Sequence, residues 1–64
     1  MNFHLKLNNE KLQDLNGQLA YANEALSQSD IKEWETKEFQ WVKNQVENEI
    51  AETKALIERI KEIA

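Results

Sequence analysis

From Ile31 to Ile63 apolar side chains recur every three or four residues, with no glycine or proline to interrupt them. At about 100° per residue, Phe39, Val42, Val46, Ile50, Ile57 and Ile60 fall on one face. Ile31, Trp34, Trp41, Leu56 and Ile63 widen that face to nearly a half-cylinder. The pattern predicts a helix over 30–63. Its apolar face has to be covered, because every Å² left in water forgoes about 25 cal/mol.

Upstream the pattern is narrower. Leu12, Leu15, Leu19, Ala22 and Leu26 alternate at three and four residues, which is the seam of a packed helix and not a broad face. This predicts a first helix over 9–27. Asn16-Gly17 would elsewhere signal a turn, but the leucine register runs through it without a phase slip, so the helix is expected to absorb one internal glycine at a cost of about 1 kcal/mol. Residues 1–8 read differently. Phe3, Leu5 and Leu7 alternate with Asn2, His4 and Lys6, the period of a half-buried strand or of a short extended segment. Asn8 then stands as the expected N-cap, with Leu7 and Leu12 at hydrophobic-staple spacing and Glu10 in the first turn.

Ser27-Gln28-Ser29-Asp30 is the one polar break in the periodicity. It offers Ser27 with Asp30, or Asp30 with Glu33, as capping pairs for a helix–helix turn, and a connection this short makes neighbouring helices antiparallel; with no glycine or proline in the break, one continuous helix is the alternative. The expected fold is therefore all-α, a single domain over 1–64 built as a hairpin with a longer second helix. Arms of about 19 and about 34 residues would leave roughly 20 Å of the second helix unmatched at 1.5 Å per residue. A second copy covering that overhang gives a four-helix bundle, with Val46, Glu49, Ile50, Thr53, Leu56, Ile57, Ile60 and Ile63 as the expected oligomer interface. Glu49 is the odd member, a carboxylate near the middle of the apolar face that needs a partner or an exit to water.

Composition sharpens the same expectation. A chain of 64 residues buries only about 60% of the surface it exposes when unfolded, and small scaffolds recover the deficit through disulfides, metals or self-association. With no cysteine and one histidine, self-association is what remains. No apolar run approaches a membrane span and no leader pattern opens the chain, so the expected location is the cytoplasm. The net charge of −4 disfavours nucleic acid and anionic membranes as partners, and a lysine- and asparagine-rich usage points weakly to a microbial, phage or plasmid source.

No Gly-rich phosphate loop, nucleophile–base pair or metal-ligand spacing is present, so neither enzymatic activity nor a cofactor is expected. Trp34 and Trp41, seven residues apart on one flank, and Tyr21, opposite the leucine seam, form a possible partner-binding surface. Lys32, Lys43 and Lys54 recur at intervals of eleven beside Glu47 and Glu58, which reads as a solvated, self-neutralising flank. Glu33 with Lys37 and Lys54 with Glu58 are i,i+4 pairs.

Two function classes fit. The first is a dimeric helical interaction module, a small regulator, inhibitor or adaptor acting on itself and on a protein target. In size and layout such a hairpin is similar to the Rop-type plasmid regulators, though no motif is shared. The second is a ribbon–helix–helix DNA-binding regulator, in which Asn2, His4 and Lys6 would read the major groove from an N-terminal strand. The acidic balance and the long second helix favour the first.

Overall fold

The computed structural model describes residues 2–63, which form two helices, α1 (Phe3–Leu26) and α2 (Glu33–Ile63), packed antiparallel. The hairpin measures 48 × 15 × 11 Å along its principal axes, one helical layer thick. Leu15 of α1 is buried against Val46 and Ile50 of α2, with Leu12, Leu19 and Val42 packed around them; Ala22 and Ile57 are buried further along the seam. Thr53 is the one polar residue buried with them among the described residues. The leucine seam and the unbroken passage through Asn16-Gly17 are as the sequence predicts. Gly17 keeps a negative φ, and a Cβ there would meet nothing within 4 Å, so the glycine is tolerated in the helix and not required by it.

The N-terminus departs from expectation. Residues 3–8 are the first turns of α1, not an extended segment, and Asn2 is the cap in place of Asn8. The Asn2 Oδ1 accepts from the backbone N–H of His4 at 2.9 Å and of Leu5 at 3.3 Å, satisfying two of the otherwise orphaned donors. Asn8, inside the helix, donates its side-chain N–H to the His4 carbonyl at 2.8 Å. Alternation over so few residues is compatible with either period. Phe3 and Leu7 are also i,i+4 neighbours on a helix, while Leu5 joins Leu12 on the other flank.

The connection also differs from its predicted caps. Ser27 closes α1: its N–H donates to the Asn23 and Glu24 carbonyls at 3.1 Å each, and its hydroxyl donates to the Glu24 carbonyl at 2.7 Å. Neither Asp30 nor Ser27 caps α2. Instead the Lys32 carbonyl accepts from Thr36 N–H at 2.9 Å, and the Glu35 carboxylate reaches back to Lys32 N–H at 3.2 Å. That is half of a capping box, with glutamate at the third helical position serving a cap residue that has no side-chain acceptor.

Lengthening α1 changes the arithmetic of the overhang. With 24 residues against 31, the unmatched length falls to roughly 10 Å. Ile57 is 5% exposed and Ile60 half-buried, both covered within the chain. The premise that the C-terminal arm has no counterpart is corrected accordingly.

Candidate functional site

Two helices can meet along one seam only, and the apolar arc of α2 is wider than that seam. What α1 covers is the line Val46, Ile50, Thr53, Ile57. What it leaves uncovered lies on one flank: Trp34 and Trp41, each 63% exposed, Leu56 at 43% and Ile63 at 86%. On α1 the corresponding uncovered residues are Phe3, Leu7 and Tyr21.

These two flanks lie on the same side of the hairpin. Antiparallel helices wind in opposite senses when viewed from one end, so the flank a quarter-turn back from the seam on α1 adjoins the flank a quarter-turn back on α2. A groove between the helices runs along the Tyr21 side. Its walls are Glu10, Asp14, Gly17 and Tyr21 of α1 and Phe39 and Val42 of α2, and the Tyr21 and Phe39 rings stand 6.1 Å apart at 58°. A second hollow toward the open end is lined by Asn2, His4, Asn8, Leu56, Ile60 and Ile63. By helical spacing the seven exposed large hydrophobic side chains found among the described residues all lie back from the seam in the same rotational sense, so they fall toward one side of the hairpin, gathered at its two ends, with Glu10, Asp14, Gln45 and Glu49 between them.

The residues singled out from sequence divide accordingly. Val46, Ile50, Thr53 and Ile57 are buried inside the chain, Ile60 is half-buried, and Glu49, Leu56 and Ile63 are left on the exposed face. Trp34, Trp41 and Tyr21 join them there, so the two predicted surfaces merge into one. Glu49 is exposed because α1 packs on the line beside it. Phe3 and Leu7 were missed as members of the face; their i,i+4 spacing carried the signal, masked by the apparent strand period.

Asn2, His4 and Lys6 do not form a reading edge. Asn2 is spent as a cap, and His4 and Lys6 are two residues apart on a helix, about 160° around its axis from one another. The ribbon–helix–helix arrangement needs a strand, and none occurs among the described residues. The face opposite the hydrophobics carries the lysine row with its acids. There Lys61 pairs with Glu58 at 3.7 Å, in place of the expected Lys54–Glu58 pair, while Glu33 and Lys37 pair at 3.8 Å as the spacing predicts. No helix among the described residues is long and apolar enough to cross a membrane, and no group of three or more potential metal ligands comes together among them.

Comparison with protein-family models, with curated proteins and with solved structures returns no match.

Proposed function

We propose that the chain is a protein–protein interaction module that works as a homodimer, two hairpins closing their apolar faces into a four-helix bundle, in the service of a small regulator, inhibitor or adaptor. The observation that carries this reading is the gathering of seven large exposed apolar side chains on one side of a one-layer hairpin. Soluble monomers rarely gather so many large apolar side chains on one side, and exposed apolar clusters of this kind mark binding surfaces.

Surface area supports the same reading. A compact 7.5 kDa monomer presents about 4,250 Å² by the usual mass scaling. This hairpin presents 5098 Å². The excess, about 850 Å², is close to the ~800 Å² that each partner buries in a standard protein interface. Dimerisation would supply the second layer that a stable core requires.

Sedimentation equilibrium tests the proposal. The expected mass is twice the 7.5 kDa of the chain at micromolar concentration. A single species of 7.5 kDa up to millimolar concentration would overturn it.

A further inference from the structure

The exposed stripe of α2 reads the same way in both directions. Taken outward from the midpoint between Asn48 and Glu49, equidistant positions are alike or complementary in chemistry. Gln45 stands opposite Glu52, Trp41 opposite Leu56, Glu38 opposite Arg59, and Trp34 opposite Ile63. All of these side chains are exposed in the hairpin, at steps of three and four residues along one flank. A helix laid antiparallel on its own copy about a two-fold axis at that midpoint brings each residue to its counterpart, which is the rule for an isologous interface. Apolar then meets apolar twice on each side of the axis. Arg59, the one cation on the stripe, meets Glu38 of the second copy, and Gln45 and Asn48 meet the carboxylates of Glu52 and Glu49.

The exposed stripe of α1 has the same property about Asp14. Glu10 stands opposite Gln18, Leu7 opposite Tyr21, and Phe3 opposite the half-buried Ala25. Nothing in one stripe obliges the other to share its centre, yet the fold aligns them. Leu15, next to Asp14, packs against Val46 and Ile50, whose midpoint along the helix is Asn48. One axis, crossing the hairpin at right angles to its length, passes through both centres.

Resting on the self-association proposed above, we infer that the second copy docks face to face and end for end, α1 on α1 and α2 on α2, with the two-fold axis at Asp14 and at Asn48–Glu49. The loop end of each hairpin, with its tryptophans and Tyr21, covers the open end of the other, with Phe3, Leu7, Leu56 and Ile63. One pairing is unfavourable: Asp14 faces Asp14 of the second copy on the axis.

Cysteine cross-linking in the intact chain, which has no cysteine of its own, tests this register. Helices packed 8–10 Å apart, each with Cα atoms about 2.3 Å from its axis, bring facing Cα atoms to about 5 Å, within disulfide range. The Asp14→Cys variant is expected to form a covalent dimer on mild oxidation, and Asn23→Cys, on the opposite face, is not. Glu38→Cys and Arg59→Cys should each stay uncrosslinked alone and form a mixed disulfide when combined. Charge exchange gives a second readout. Glu38→Arg or Arg59→Glu alone should raise the dissociation constant about tenfold, since each pair occurs twice per dimer, and the double exchange should restore it. A dimer by sedimentation that fails to cross-link at position 14 and shows no rescue overturns the register while leaving self-association intact. A chain that stays monomeric overturns both.

Discussion

The two flat sides of this hairpin are built from the same two helices and differ in almost every other respect. One side carries the seven exposed large hydrophobics of the described residues, with carboxylates between them. The other carries Asn9, Asn16 and Asn23 of α1 and the mixed lysines and glutamates of α2, where Lys61 and Glu58 pair at 3.7 Å. A monomer designed for solvent would have two sides like the second. The contrast follows from the width of the apolar arc of α2: one neighbouring helix covers a strip of it, and what remains falls on one side because the arc is displaced from the seam. An asymmetry of this kind identifies a surface before any partner is known.

The largest effect should come from the seam that holds both sides in place. Leu15→Ala removes a buried side chain from between Val46 and Ile50, and is expected to cost about 2–5 kcal/mol, enough to unfold so small a domain at room temperature. Far-UV circular dichroism that stays helical and cooperative would show that the seam is not the core.

Next in size, Trp41→Ala on the apolar side should weaken dimerisation by about 2 kcal/mol or more, near thirtyfold in dissociation constant, as for other buried aromatic anchors. It should leave the helical content unchanged at concentrations high enough to restore the dimer. Loss of helicity at every concentration would instead place Trp41 in the fold.

Asn2→Ala sharpens the comparison at one end. Losing both cap hydrogen bonds should cost about 1 kcal/mol and fray the first turns of α1, where Phe3 and Leu7 enter the apolar side. Amide exchange localised to residues 3–8 is the expected signature; uniform acceleration along α1 would contradict the local account.

The smallest effect belongs to the other side. Lys54→Ala should change stability by no more than about 0.5 kcal/mol and leave the dissociation constant where it was. A tenfold weakening would mean that the charged side also takes part in assembly.

Much of this fold is legible in the sequence. The three-and-four spacing of Leu12, Leu15, Leu19, Ala22 and Leu26 fixes α1, and the long apolar run fixes α2, because helical periodicity over many residues has few competing readings. The N-terminus resists for the opposite reason. Phe3, Leu5 and Leu7 span so short a stretch that periods of two and of three to four both fit. Only the tertiary structure distinguishes them: there residues 3–8 are helical, and Ile57 is buried and Ile60 half-buried. The face was half legible: Trp34, Trp41 and Tyr21 mark themselves by type, whereas deciding which part of a wide apolar arc is spent inside the chain requires knowing where α1 lies. Glu49 shows the same limit, central on a helical wheel and exposed in the fold.

The concentration dependence of the thermal melt tests most directly the claim that the apolar side is closed by a second copy. Folding coupled to association makes the melting temperature rise with protein concentration, and the account predicts a steady rise across a hundredfold range. It also predicts a blue shift of tryptophan emission as Trp34 and Trp41 leave water. A melt that does not move over that range, with emission fixed at the exposed-indole maximum, would contradict it.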